Sequence, residues 1–304
     1  MKRTLRAVAV AALTFALALP SPAHAAWSAA TGAGGQARSA ATTMPAGNQP
    51  TATVTGSAEV QVSWSASSGG APVTGYEVHA YDATSGAPRA VGASCAGIVA
   101  ATSCSESAVP DGSWRYAVVP RSSAWAGAES PLSAAVLVDS TPPSVAGVSL
   151  TNGDGVITPG TDELRITFSE ALSTASVCSA WSGSVDQSLG GSGVVVTITD
   201  NGSNDALTVA SAACTLHVGS LATGGDYVLV TSTFSGATAG TESRVTWTAA
   251  TRQLTVHIGA QTAGLLNVLP QAATTVSYTP DASITDEAGN AVVTTPFSAA
   301  AQRF

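Results

Sequence analysis

Few side chains in this 304-residue sequence can move a proton, attack a carbonyl or hold a metal: four histidines, four cysteines, nineteen acids and a single lysine. Nucleophilic catalysis by serine needs a histidine base beside the hydroxyl. His79, His217 and His257 instead lie inside alternating strand patterns, and no Gly-x-Ser-x-Gly elbow occurs. They read as solvated strand histidines. Glycoside hydrolysis needs two carboxylates held about 5 to 10 Å apart across a cleft. The adjacent pairs Asp162-Glu163 and Asp286-Glu287 point to opposite sides of an extended chain, so neither pair is arranged for it. Asn152-Gly153-Asp154-Gly155-Val156-Ile157 matches the middle of an Asp-x-Asn-x-Asp-Gly calcium loop. Its first and twelfth ligand positions are Leu150 and Thr161, so a plain Asn-Gly turn is the expectation there. No catalytic, metal or cofactor residue is assigned, and no cofactor is expected.

The cysteines become legible through the N-terminus. Lys2, Arg3 and Arg6 precede an apolar run from Ala7 to Leu19, broken only by Thr14. Pro20 and Pro22 stop that run, and Ala23-His24-Ala25 supplies a small-x-small cleavage pattern. The run is too short to cross about 30 Å of hydrocarbon, so residues 1–25 read as a signal peptide cut between Ala25 and Ala26. The mature chain is therefore expected to be secreted, to have no membrane span, and to be cell-surface associated if retained. In an oxidising compartment, Cys95, Cys104, Cys178 and Cys214 read as two disulfides. Four cysteines allow three connectivities. Cys95 with Cys104 and Cys178 with Cys214 is the pairing that keeps each bridge on its own side of Pro142-Pro143.

Charge narrows the partners. The formal charge is −8. Removing Lys2, Arg3 and Arg6 leaves eight basic residues against nineteen acidic ones, a net −11, and no lysine. Such a chain has no basic surface to displace counterions from nucleic acid or to seek anionic lipid. The expected partner is an extracellular protein or polysaccharide. Without lysine the mature chain cannot form a Lys–Asn isopeptide crosslink, so disulfides must supply any covalent bracing.

The positioning elements read as strands. Residues 26–49 are rich in Gly, Ala, Ser and Thr and are expected to form a flexible arm. Val60, Val62 and Trp64 then alternate with polar neighbours, as do Tyr76, Val78 and Ala80, then Trp114, Tyr116 and Val118, then Ala134, Val136 and Val138. Turn chemistry at Ser67-Ser68-Gly69-Gly70, Ser85-Gly86 and Pro110-Asp111-Gly112 separates them. Residues 50–139 are the first predicted domain, 140–144 a proline-rich joint, and 145–304 a second domain. In the second, Leu164, Ile166 and Phe168, Val194, Val196 and Ile198, and Tyr227, Leu229 and Thr231 alternate. Val245-Thr246-Trp247 and Leu254 to Ile258 form a predicted hairpin. The fold class is all-β, two antiparallel β-sandwiches in tandem.

Val60 to Trp64 followed by Gly69-Gly70-Ala71-Pro72-Val73-Thr74-Gly75-Tyr76-Glu77-Val78 resembles the second and third strands of a fibronectin type III domain. The resemblance implies that Trp64 is the core tryptophan, that Tyr76 is the third-strand aromatic, and that Tyr116 corresponds to the family's later tyrosine. Leu164 to Glu170 and Ile284 to Asn290 resemble bacterial Ig-like repeats of secreted and surface proteins. The domain order resembles exported proteins of high-GC Gram-positive bacteria. These likenesses imply an exported, non-catalytic interaction or adhesion module. The alternatives are a subunit of an extracellular fibre or biofilm matrix, whose arm pairs with a neighbour's edge strand, and a polysaccharide-binding accessory protein. Trp27, Trp125 and Trp181, off the clearest strand patterns, are the candidate sugar platform.

Processing is directly checkable. N-terminal sequencing of the secreted protein is expected to begin at Ala26, and a start well away from that residue would refute the cleavage assignment.

Overall fold

A computed structural model describes residues 26–31, 37–92, 94–183, 185–191, 193–236 and 240–304. Residues 1–25, with Ala25 of the expected cleavage site, lie outside the described residues, and Ala26 opens the first described strand. The strands in chain order begin with β1 (Ala26–Thr31), β2 (Ala37–Thr42), β3 (Thr51–Gly56), β4 (Glu59–Ser63) and β5 (Gly75–Asp82). Next come β6 (Pro88–Arg89), β7 (Ser103–Ser107), β8 (Gly112–Ser122), β9 (Trp125–Ala126) and β10 (Val136–Val138). The second half holds β11 (Val145–Leu150), β12 (Glu163–Phe168), a single helical turn α1 (Thr174–Val177), β13 (Gln187–Gly190), β14 (Val194–Thr199), β15 (Ala206–Ser211) and β16 (Ser220–Ala222). It closes with β17 (Val228–Phe234), β18 (Arg244–Thr248), β19 (Gln253–His257), β20 (Gln261–Leu266), β21 (Thr274–Thr279) and β22 (Phe297–Gln302).

The chain divides into two compact units. One runs to Thr53 and adds Gln61–Ser107 and Ser113–Val136; the other comprises Val54–Val60, Ala108–Gly112 and Leu137–Phe304. The first unit contains the sheet β10-β8-β5-β6, with β9 on β8, and most of the sheet β3-β4-β7. In the second unit the sheets are β11-β12-β19-β18-β13 and β20-β17-β14-β15-β16-β21-β22. The chain is thus all-β, with tandem sandwiches built from antiparallel ladders.

Alternation explains the first unit. Val62, Tyr76, Val78 and Ala80 are buried, and Trp64 meets Tyr76 edge to face with ring centroids 5.3 Å apart. Residues 116–120 of β8 are buried without alternation. Beside them, Ser130 and Ser133 lie along the strand, their hydroxyls accepting from the N–H groups of Val118 and Tyr116 at 3.0 Å each. Side-chain oxygens thus replace ladder carbonyls, and the strand read from Ala134 starts only at Val136. The 26–49 region contains a hairpin, β1 with β2, whose strands pair with each other. Beyond it, Ala71 N–H donates to Thr43 O and Gly47 N–H to Ala128 O. A Cβ on Gly70 would sit 2.2 Å from that Thr43 oxygen, so only glycine admits so close an approach. Residues 43–47 are therefore tied to the first unit.

The polar centre of this unit is Glu106, 1% exposed. Arg89 donates to both of its oxygens, at 2.7 and 2.9 Å, and the Tyr116 hydroxyl and Gly92 N–H complete the set. The Arg89 guanidinium also covers the Trp114 ring at 4.6 Å from its centroid. Tyr116 spends its hydroxyl on this carboxylate. Burial pushes the Glu106 pKa up, but the hydrogen bonds of Arg89, Tyr116 and Gly92 outweigh it and hold the pKa below its ordinary value. Cys95 pairs with Cys104 nearby in the sequence, with Cα atoms 5.4 Å apart.

In the second unit, Phe168, Trp247, Tyr227, Phe234, Tyr278 and Phe304 fill the core. The hairpin of β18 and β19 forms through Arg252 in the left-handed region (φ 53°), matching Val245 with Val256 and Trp247 with Leu254. Cys178 pairs with Cys214, with Cα atoms 5.7 Å apart. One expected face is corrected. Tyr227, Leu229 and Thr231 were predicted to share an inward face, but Val228, Ser232 and Phe234 point in while Leu229 and Thr231 are exposed. Register shifts along β17 cause this, and Asp205 accepts the N–H groups of both Tyr227 and Val228 at the strand's start.

Replacing Glu106 by Gln leaves the half-buried Arg89 opposite a neutral amide, which is expected to cost about 1.5–3 kcal/mol by urea denaturation at pH 7. A carboxylate whose pKa is lowered by folding stabilises above its unfolded value, near pH 4.3, and loses that contribution as pH falls through the folded value. Wild type should lose more stability than Glu106→Gln on acidification below about pH 4. Equal stability of the two proteins at pH 7 would contradict the network's role.

Candidate functional site

Among the described residues, the three histidines lie beside three separate acids. His79 Nδ1 lies 2.6 Å from Glu129 Oε1, and the Tyr81 hydroxyl donates to the same oxygen at 2.8 Å. Burial first, then the hydrogen bond and charge of Glu129, push the Tyr81 pKa up to about 12. His217 Nδ1 is 3.3 Å from Asp281, and His257 Nδ1 is 3.6 Å from Glu163. Among the described residues no histidine ring hydrogen-bonds a serine hydroxyl. Each adjacent acid pair is split by the pleat: Asp162 is buried while Glu163 is half-buried, and Asp286 is buried while Glu287 is exposed.

Asp286 works as a turn lock. Its oxygens accept Asn290 N–H at 2.8 Å and Asn290 Nδ2 at 2.7 Å, and the same amide reaches Asp139 O at 3.1 Å. Asp139, Glu170 and Asp286 each bring an oxygen within 4.8 Å of the others. Burial raises the Glu170 pKa, and the charges of Asp139, Asp286 and Asp111 add to it. Sequence reading missed this trio because Asp286 lies more than a hundred residues from both Asp139 and Glu170.

The Asn152–Thr158 loop is held by its own polar groups. Asp154 accepts from Asn152 Nδ2 (2.9 Å), Val156 N–H (3.0 Å) and Thr158 Oγ1 (3.0 Å). Gly155 (φ 88°) lies where a Cβ would be 2.7 Å from Gln271 O, and the two backbones exchange a hydrogen bond there, Gln271 N–H to Gly155 O. Leu150, the first position of the calcium-loop pattern, faces the core.

The most open feature is the edge of the seven-stranded sheet. Strand β20 pairs with β17 and ends the sheet. Leu229, Val230 and Leu265 are about half exposed, with Val230 opposite Leu265, and Val268 and Leu269 are 80% and 68% exposed. From Gly259 to Pro280 there is no charged residue. Of the candidate sugar platform, Trp181 is a core residue at 5% exposure, Trp125 is half-buried on β9, and the Trp27 side chain lies outside the described residues. A flat pair built on Trp181 is therefore excluded by its burial.

No protein-family model matches the chain, and no curated protein matches it. Among solved structures, the sixth fibronectin type III domain of human fibronectin type III domain containing protein 3 matches at 20% identity, covering 32% of this chain and 89% of that one, with a TM-score of 0.26. The chicken CNTN1 FN1–FN3 domains match at 12% identity, covering 86% of this chain and 87% of that one, with a TM-score of 0.29. At such low scores the fold assignment rests on the sheet order and register described above.

Proposed function

We propose that the protein is an exported, non-catalytic interaction module that engages an extracellular protein partner by adding a strand to β20. The observation that carries this reading is an unpaired edge flanked by five exposed aliphatic side chains with no charge for 22 residues around it. Edge strands are ordinarily blunted by charge, because their free N–H and C=O groups template further pairing. An uncharged edge beside Val230, Leu265, Val268 and Leu269 offers main-chain hydrogen bonds and apolar contact together. Two internal disulfides fit the oxidising exterior, and so does the signal peptide expected from residues 1–25. The dispersal of histidines and acids supports a role without turnover.

A second reading is favoured by the β1–β2 hairpin, a two-stranded sheet, small-residued apart from Trp27 and Arg38, that is marginal alone and gains from joining a larger one. In that reading the partner is another copy and the product an extracellular fibre.

A Leu265→Lys, Val268→Lys double variant places two cations on the edge while leaving the core intact. It is expected to keep its circular dichroism spectrum and to lose at least about ten-fold in retention on secreting cells or, for the fibre reading, in sedimentable polymer. Wild-type behaviour in both assays would remove β20 from the reading.

A further inference from the structure

Four acids are buried among the described residues: Glu106, Asp162, Asp205 and Asp286. Three are satisfied at both oxygens. Glu106 has Arg89, Tyr116 and Gly92; Asp205 has Asn201 N–H on one oxygen and the N–H groups of Tyr227 and Val228 on the other; Asp286 has both donors of Asn290. Asp162 is the exception. It is 0% exposed, its Oδ2 accepts Thr158 N–H at 2.7 Å, and its Oδ1 has no partner. A buried carboxylate oxygen left this way carries an uncompensated desolvation cost unless something outside the chain meets it. No described cationic side chain pairs with Asp162 or with Asp154.

The groups facing Asp162 are oxygen-rich. Thr158 bridges the two acids, giving its N–H to Asp162 and its hydroxyl to Asp154. The Asn152 amide lies close enough to the Asp162 carboxyl to lower its pKa and the Asp154 charge raises it, so both residues sit beside that carboxyl. Thr161 Oγ1 lies within 3.4 Å of Asn152 Nδ2. Rotating the Asn152 amide by half a turn would present its oxygen in place of its nitrogen, giving up its donation to Asp154 and Thr161 and its contact with the Asp162 carboxyl, which a bound cation would replace.

We propose that the loop from Asn152 to Asp162 is a divalent-cation site selective for calcium, with Asp162 Oδ1 and the Asp154 carboxylate as its anionic ligands and the Asn152 amide oxygen as a neutral one. Two carboxylates, an amide and hydroxyls form an all-oxygen set without sulfur or imidazole, which suits a hard cation. Their irregular placement favours calcium, which tolerates variable geometry, over magnesium, which demands a regular octahedron. The loop departs from the standard twelve-residue pattern at both ends: Leu150, at the first ligand position, faces the core, and Thr161 stands at the last, where the buried Asp162, one residue later, supplies a carboxylate.

The test uses the full mature chain, stripped with EDTA and dialysed, then titrated with calcium chloride by calorimetry and followed by thermal denaturation. The expected result is one ion per chain, a Tm raised by about 5–10 °C at calcium 100-fold above Kd, and a smaller rise with magnesium. Asp162→Asn and Asp154→Ala should each weaken calcium binding at least ten-fold. Asp154 is exposed, so its variant keeps the test decisive even if Asp162→Asn does not fold. A Tm indifferent to calcium overturns the proposal. So does wild-type affinity in Asp154→Ala or Asp162→Asn, which would move the ion to another site such as Asp139, Glu170 and Asp286.

Discussion

Backbone pairing in antiparallel ladders carries most of the polar burden of this protein, because its side chains supply so little. A tenth of the residues are charged, and Lys2 is the only lysine. Buried N–H and C=O groups must nevertheless be satisfied. The chain meets this with long ladders, with serine hydroxyls beside β8 where a neighbouring strand is interrupted, and with turns closed by acids. Ladders end at edges, and a chain poor in charge has little with which to blunt them. The open side of β20 follows from the same scarcity of charge.

The few charges that are buried are used as locks. Glu106 ties Arg89, Tyr116 and the backbone of Gly92 into one cluster, so losing any donor would leave a charge in a low-dielectric interior. Asp205 and Asp286 fasten turns in the same manner with neutral donors. Against these three, the half-satisfied carboxyl of Asp162 stands out as a site whose polar complement lies beyond the chain, and burial raises its pKa to about 6.

Much of the architecture was legible because period-two alternation is a direct image of a half-buried pleat. Val60 and Val62, Tyr76 and Val78, and Leu164, Ile166 and Phe168 all bury the residues that their spacing picks out. Reading failed where the period breaks. At Tyr227–Thr231 a bulged register turns Leu229 outward, and a strand with shifted pairing leaves no clean alternation to detect. The site was less legible than the fold. Asp139, Glu170 and Asp286 meet only through tertiary folding, and the burial that separates Asp162 from its neighbour Glu163 is invisible in an adjacent acid pair. Trp181 illustrates the reverse error, since a tryptophan off the strand pattern proved to be core.

An interaction module needs a rigid scaffold and one surface that is incomplete without its partner. The two disulfides, the aromatic cores and the locked turns provide the scaffold, and on the proposed reading the surface is β20 with its exposed aliphatics. Amide hydrogen exchange, resolved by peptide and compared between dilute monomer and partner-bound or assembled protein, addresses that division of labour. The outward amides of Gln261–Leu266 should exchange freely in the monomer and become protected on association, while β14 and β15 stay protected throughout. Protection of β20 already complete in the monomer, or unchanged on association while another surface is covered, would contradict it.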